Sequence, residues 1–162
     1  MSEGHDEAFT SLLRALVTAQ VEFVLIGGWA LPVHGAGRTT FDVDVVPSPD
    51  RDNLQRLANL LVEIEAHAPG SDPQFPPLGV EALSSGATVK CLTRHGDLHI
   101  VQGQKGVPRF AELRQRALAI EVEGVRFLVC SYEDLIAMKS ATGRPQDEID
   151  ITDLRRARGE LE

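Results

Sequence analysis

Residues 23–46 read FVLIGGWALPVHGAGRTTFDVDVV, and this stretch decides the predicted fold. The apolar run at its start is rich in strand-forming residues, and two glycines follow it, Gly27 and Gly28. The stretch ends in alternating acidic and apolar residues. Because successive side chains of a strand point to opposite faces, Asp42 and Asp44 are predicted to share one face of a second strand.

This arrangement predicts a particular chemistry. Two carboxylates on one face can hold a hard divalent cation, Mg²⁺ or Mn²⁺, which prefers oxygen ligands. Glycines before a short helix, expected over Trp29 to His34, let backbone N–H groups approach an anion, and the helix dipole favours the negative charge. Asp42 and Asp44 are therefore predicted metal ligands and catalytic residues. Gly27 and Gly28 are predicted to bind the phosphates of a nucleotide, as phosphoryl or nucleotidyl transfer requires.

The order of these residues resembles a known signature. Gly27–Gly28 followed by Asp42-x-Asp44 is similar to the polymerase-β-like nucleotidyltransferase superfamily. The longer string GGWALPVHG-x-x-R-x-T-x-D-x-D resembles a narrower branch, the AbiEii-type toxins of type IV toxin–antitoxin systems. The likeness covers roughly residues 20–158 and continues in residues 110–113, 124–127, 133–139 and 143–147.

The resemblance implies an activity and its partners. The reaction would transfer a nucleoside monophosphate from an NTP to an acceptor and release pyrophosphate, with Mg²⁺ as the cofactor. For the toxin branch, the acceptor would be tRNA or another host macromolecule, and a cognate antitoxin protein would be a partner.

Three residues near the glycines leave alternatives open. Arg38 either neutralises the two carboxylates or contacts a triphosphate, a task that suits the guanidinium fork. Thr39 either supplies a hydroxyl ligand to the nucleotide or only begins the strand. Trp29 either stacks on a base or fills the seam between helix and sheet.

The C-terminal part adds a second group of candidates. The resemblance implies that Lys139 contacts the nucleotide phosphates and that Asp147, or its neighbours Asp150 and Asp153, orients Lys139 or helps to bind the acceptor. The structural alternatives are that Lys139 complements a helix C-terminus and Asp147 a helix N-terminus. Asp150 and Asp153 are expected on a solvated or salt-bridged face.

One position departs from the family pattern. The third carboxylate of the superfamily falls within GDLHIV, residues 96–101, where this chain has His99. Asp97 lies two residues earlier and on the same strand face. Either His99 acts as a general base near neutral pH, or Asp97 substitutes for the missing acid, or the site is degenerate and binds a nucleotide or a partner without catalysis. A purely structural role for His99 is also open.

The periodicity of apolar residues predicts an α/β (α+β) fold, with a twisted mixed sheet flanked by helices and the metal site at the sheet edge. The chain length suits one domain, residues 1–162, whose C-terminal helices over 131–158 complete the site. The expected strands are 22–26, 42–46, 87–93, 97–101, 118–122 and 125–129. The expected helices are 6–19, one beginning at 47–50, a turn at 80–83, 110–117, one opened by Ser131 and one after Pro145.

The net charge and composition of the chain indicate which kinds of partner it would bind. The net charge is −8, from 24 acidic and 16 basic residues, so the chain has no general attraction for nucleic acid. The GGW…D-x-D arrangement also resembles small antibiotic nucleotidyltransferases that act on lincosamides or aminoglycosides, and an acidic surface suits a cationic aminoglycoside better than RNA. Cys91 and Cys130 lie in apolar runs and are expected to be buried thiols. The polar N-terminus and the lack of an apolar run of about 18 residues predict a cytoplasmic protein that does not enter a membrane.

Overall fold

The computed structural model describes residues 3–37, 40–70 and 79–162. The elements follow in chain order: α1 (Glu3–Thr18), β1 (Phe23–Ile26), two 3₁₀ turns (Gly28–Ala30 and Pro32–His34), β2 (Asp42–Pro47), α2 (Arg51–Glu63), α3 (Val80–Ser84), β3 (Val89–Thr93), β4 (Gly96–Ile100), α4 (Phe110–Arg116), β5 (Leu118–Val122), β6 (Val125–Val129), α5 (Tyr132–Thr142) and α6 (Pro145–Ala157). Among these helices, none has both the length and the hydropathy to cross a membrane.

The strands form one six-stranded mixed sheet in the order β3-β4-β2-β1-β6-β5. Strand β1 is antiparallel to β2 and parallel to β6, and β2 is parallel to β4. Strands β3 and β4, like β5 and β6, form antiparallel hairpins. The predicted fold class and both predicted hairpins are confirmed.

The register of β2 against β4 brings four polar residues together. Asp42 lies opposite Asp97, and Asp44 lies opposite His99. Residues paired across neighbouring strands project to the same face, so all four share one face of the sheet. Strand β2 is an interior strand between β4 and β1. The expectation that the carboxylates lie at the sheet edge is therefore wrong, because strand order depends on long-range pairing that local patterns do not encode.

The opposite face of β2 belongs to the core. Val43 and Val45 are buried, as the alternation predicted, together with the apolar stripes of α1 and α2. Burial of these stripes is the main force that holds the helices on the sheet. The core side chains from these helices are Leu12, Leu13, Leu16, Leu54, Leu57 and Leu61.

The helix expected over Trp29 to His34 is replaced by the two 3₁₀ turns. Pro32 lacks a backbone N–H and opens the second turn, and Gly35 ends it with a positive φ of 86°. Such short turns carry little helix dipole, so that part of the predicted anion site is absent. Trp29 is buried and stacks on Phe9, with 3.9 Å between ring centroids. It therefore fills the seam between α1 and the sheet.

Helices α5 and α6 meet at a tight corner. Ser131 caps α5, and its Oγ accepts a hydrogen bond from the Asp134 N–H at 3.0 Å, as the capping motif predicted. Gly143 ends α5 in the left-handed region, with φ of 64°, and Pro145 opens α6. This corner brings the end of α5 next to the start of α6.

Candidate active site

A cavity of about 450 Å³ lies over the polar face of β2 and β4. Its volume is within the range of small-molecule sites in proteins. It is lined by the glycine turn (Gly27 and Gly28), by strands β2, β3 and β4 and by the loop after β4. The C-terminal part of α5 and the start of α6 complete the lining. Seven of the predicted site residues gather here: Gly27, Gly28, Asp42, Asp44, His99, Lys139 and Asp147. Arg38 and Thr39 lie outside the described residues, so their predicted roles stay predictions.

The glycine turn fits closely against the carboxylate strand. Gly27 has a positive φ of 76°, and a Cβ atom there would overlap the carboxylate of Asp44. A Cβ atom at Gly28 would lie 2.8 Å from Thr40 Oγ1. Gly27 therefore lets the backbone after β1 approach Asp44, and Gly28 lets it approach Thr40, more closely than any other residue type would allow.

His99 lies between the two predicted metal ligands. Its Nδ1 is 3.0 Å from Asp44 Oδ1, and its Nε2 is 4.0 Å from Asp42 Oδ2. Asp44 Oδ1 is a buried oxygen that accepts no hydrogen bond from the described residues. The Asp44 contact and the charges of both carboxylates raise the pKa of the imidazole above its usual value, although burial lowers it.

Asp97 shares a sheet face with Asp42, Asp44 and His99 but has different surroundings. It does not line the cavity wall but borders a smaller hollow beside Trp29 and Phe41. Burial raises the pKa of Asp97, and the charge of Asp42 and a hydrogen bond with that carboxyl group raise it further. His99, rather than Asp97, therefore occupies the position that faces the cavity.

The donor set fits a magnesium ion that is completed by its substrate. No group of three or more His, Cys, Asp or Glu side chains within residues 3–37, 40–70 and 79–162 is arranged to hold a metal by itself. Mg²⁺, however, is commonly bound by one or two carboxylates together with substrate phosphates and water. Asp42 and Asp44 provide that pair, and the buried Oδ1 of Asp44 is an oxygen ligand without a hydrogen-bond donor. The residues present therefore fit the cation.

The second group of candidates forms a buried ion cluster. Lys139 Nζ lies 2.7 Å from Asp150 Oδ2 and 3.6 Å from Asp147 Oδ1, and the Lys139 side chain is only 7% exposed. Of the two settings expected for Asp150, solvated or salt-bridged, the structure shows the salt bridge, in a buried position. Asp153 instead pairs with Arg156 on the surface. Lys139 reaches the cavity wall with its charge already opposed by two carboxylates.

Sequence reasoning gave no role to Arg144, although it stands in the Gly-Arg-Pro segment that carries the resemblance. Its Nε donates to Asp147 Oδ2 at 3.0 Å, and its side chain lines the cavity. The hydrogen bond and charge of Asp147 raise the pKa of the guanidinium, and the more distant charge of Asp44 adds to this. Lys90, Thr88 and Gln104 were also missed. The alternation of β3 places Thr88 and Lys90 on one face and was the available signal.

The sequence matches a family of known proteins. Residues 7–155 match the family described as "Nucleotidyltransferase of unknown function (DUF6036)". The chain belongs to this nucleotidyltransferase family. The predicted superfamily and the predicted class of enzyme, an NTP-using transferase, are confirmed. A search of curated proteins finds no significant match.

Solved structures of similar fold support the same architecture. The lincosamide antibiotic adenylyltransferase LnuA in its lincomycin-bound form is 15% identical, with a TM-score of 0.65, and the match covers 97% of this chain and 98% of that one. ANT(2")-Ia with adenylyl-2"-tobramycin is 13% identical, with a TM-score of 0.58 and coverage of 94% and 88%. An antigenic nucleotidyltransferase-like protein from Paracoccidioides brasiliensis is 16% identical, with a TM-score of 0.55 and coverage of 94% and 75%.

Proposed function

We propose that this chain transfers a nucleoside monophosphate from an NTP to a hydroxyl group of a small, positively charged acceptor and releases pyrophosphate. The observation that carries the proposal is the carboxylate pair of Asp42 and Asp44, which lies beside the glycine turn within one cavity of about 450 Å³. In this proposal residues 1–162 act as one domain in the cytoplasm, and residues 131–158 complete the site.

The chemistry of each cavity residue suggests its role in metal binding, phosphate binding or proton transfer. Asp42 and Asp44 would hold Mg²⁺, or Mn²⁺, which when bound offsets the charge of the triphosphate. Gly27 and Gly28 bring the backbone close to the phosphates. His99 faces the same space and would accept the proton of the acceptor hydroxyl when its imidazole is neutral. Asp97 is given no role at the acceptor hydroxyl, because it does not line the cavity.

Two observations support a small cationic acceptor. The net charge of −8 attracts cations and repels nucleic acid. Two proteins of similar fold, LnuA and ANT(2")-Ia, are solved with lincomycin and with an adenylylated tobramycin, and this chain aligns with nearly the whole length of LnuA. The acceptor class is thus an aminoglycoside or lincosamide type of molecule, which carries both hydroxyl and amino groups.

A second candidate is a toxin that modifies tRNA or another host macromolecule and is held in check by an antitoxin. The observation that favours it is the string GGWALPVHG-x-x-R-x-T-x-D-x-D, which is similar to the AbiEii branch. The acidic charge of the chain argues against RNA, because binding a polyanion would require a concentrated basic surface.

The test is to incubate the purified protein with Mg²⁺, each α-³²P-labelled NTP in turn, and separate pools of acceptors. The pools are a panel of aminoglycosides and lincosamides, total tRNA, and a protein extract. We expect the wild-type protein to transfer the label to a small molecule of the antibiotic panel. The Asp42→Asn variant should transfer no label. Asp52→Asn is a matched control, because Asp52 is an exposed carboxylate in the first turn of α2.

The other outcomes separate the alternatives. Label in tRNA would replace the small-molecule acceptor by the toxin reaction, and label on a protein would indicate protein nucleotidylation. NTP binding without transfer to any pool would contradict catalysis. A gain of activity in His99→Asp would then show that the missing third acid is the reason.

A further inference from the structure

Two cations border the cavity where α5 meets α6, and they are held in opposite ways. Lys139 is buried, and its ammonium group lies between Asp150 at 2.7 Å and Asp147 at 3.6 Å, whose carboxylates are each 2% exposed. Moving the ammonium towards a ligand would take a cation away from two buried carboxylates, which is unfavourable. Lys139 is thus occupied within the protein.

Arg144 is held at one end only. Its backbone N–H and its Nε both donate to Asp147 Oδ2, at 3.2 Å and 3.0 Å. Within the described parts of the chain, its two terminal Nη groups donate no hydrogen bond, and the side chain is 71% exposed. The outer edge of the guanidinium therefore remains available to a ligand in the cavity.

The backbone around Arg144 limits its freedom. It is the N-cap residue of α6, between Gly143 with its left-handed φ and the fixed φ of Pro145. A guanidinium that is oriented before a ligand arrives loses less conformational entropy on binding than a free surface side chain. Its planar fork also matches the oxygens of a phosphate group in a bidentate manner.

We propose that Arg144, oriented by Asp147, binds the triphosphate of the NTP, and that Lys139 is an internal counter-ion that positions Asp147 and Asp150. This rests on the proposed function, because it takes the cavity to hold an NTP. It assigns to Arg144 the contact that the family resemblance implies for Lys139. Asp147 is then a positioning residue, since it acts through the arginine.

The chain offers a closely matched control for Arg144. Arg109 is also an N-cap residue, of α4, and it also pairs with an acid three residues later, Glu112, at 3.3 Å. It does not line the cavity. Arg144→Gln and Arg109→Gln therefore remove the same charge from the same kind of helix start, inside and outside the site.

The experiment measures binding of each α,β-methylene nucleoside triphosphate with Mg²⁺, and of the same nucleoside without phosphates, to the full chain. We expect Arg144→Gln to weaken triphosphate binding about ten- to a hundredfold and to leave nucleoside binding unchanged. Arg144→Lys should recover only part of the loss, because lysine lacks the fork. Arg109→Gln should bind like the wild type. Lys139→Gln should lower the unfolding temperature and should weaken triphosphate binding much less than Arg144→Gln does.

Two results would overturn the assignment while the proposed function stands. One is a folded Arg144→Gln variant that binds the triphosphate as tightly as the wild type. The other is an equal loss of triphosphate and nucleoside binding in both Arg144 variants, which would indicate a structural role. If the wild-type chain itself binds no triphosphate, both the proposed function and the assignment of Arg144 are wrong.

Discussion

The two charged clusters that border the cavity differ in how completely their charges are matched. The β2–β4 cluster consists of Asp42, Asp44, Asp97 and His99, three carboxyl groups with one imidazole. The α5–α6 cluster consists of Lys139, Arg144, Asp147 and Asp150, two cations with two carboxylates.

The difference indicates two kinds of task. The β2–β4 cluster has an excess of negative charge and a carboxylate oxygen, Asp44 Oδ1, without a hydrogen-bond partner among the described residues. A bound cation would balance this charge and would give Asp44 Oδ1 a partner. The α5–α6 cluster is neutral, and its carboxylates are buried, so it gives the cavity a rigid wall. Substitutions should therefore separate activity from stability between the two clusters.

Asp44→Asn should have the largest effect on activity. It removes a proposed metal ligand, and we expect nucleotidyl transfer to fall about a hundredfold or more. The unfolding temperature should not fall, because the change also relieves repulsion among the carboxylates of the cluster. Transfer assays and thermal unfolding of the same preparation check both points. If Asp44→Asn is inactive only because it unfolds, the β2–β4 cluster does not differ from the α5–α6 cluster in the way described above.

Lys139→Met should show the opposite balance, with stability as the main loss. Removing the ammonium breaks its buried ion pair with Asp150 and weakens the charge balance around Asp147, and breaking a buried pair costs about 3–5 kcal/mol of unfolding free energy. Urea unfolding measures this cost. The double variant Lys139→Met/Asp150→Asn should be more stable than Lys139→Met alone. Equal stability of the single variant and the wild type would show that the cluster is not structural.

Much of this contrast was visible in the sequence, and part of it was not. The shared face of Asp42 and Asp44 follows from the two-residue period of a strand, and the hairpin at residues 94–96 follows from its glycine. The pairing of Lys139 with Asp150 depends on the angle between α5 and α6, which no local pattern encodes. The pairing of Asp97 with Asp42 depends on the parallel register of β2 and β4, which no local pattern encodes either.

Gly27→Ala should act on both properties, but more weakly. An added Cβ atom would overlap the carboxylate of Asp44, and the positive φ of 76° disfavours any side chain. We expect a loss of about 1–3 kcal/mol of unfolding free energy and reduced transfer, because Asp44 is displaced. Gly124→Ala in the β5–β6 turn, where φ is 80° and no atom lies within 4 Å, is the control for backbone strain alone. If both variants lose activity equally, the contact with Asp44 is irrelevant.

The pH dependence of the unfolding free energy should differ in sign between Asp147 of the α5–α6 cluster and Asp97 of the β2–β4 cluster, and this effect is smaller than the ones above. Although burial opposes it, hydrogen bonds and charge from Arg144, with the charge of Lys139, lower the pKa of Asp147. Its stabilisation is present above the unfolded-state pKa of about 3.9 and is lost as the pH falls through the folded-state value. The pKa of Asp97 is raised, so its contribution is present below about 3.9 and is lost as the pH rises through the folded-state value.

The measurement is urea unfolding from neutral pH to about pH 3 in the presence of a chelator. Asp147→Asn should be less stable than the wild type at neutral pH, and Asp97→Asn should be more stable. Both differences should shrink in acid. The same sign of effect for the two variants would contradict the distinction between the clusters.

We propose that Asp42 and Asp44 bind a divalent cation together with an NTP and that the α5–α6 cluster does not contact the metal. The most direct test is a titration with Mn²⁺, followed by the electron paramagnetic resonance signal of free Mn²⁺, in the presence of each α,β-methylene nucleoside triphosphate. We predict that the wild-type chain binds Mn²⁺ with the nucleotide, that Asp44→Asn loses this binding, and that Asp150→Asn retains it. Equal Mn²⁺ binding by the wild type and Asp44→Asn would contradict the account.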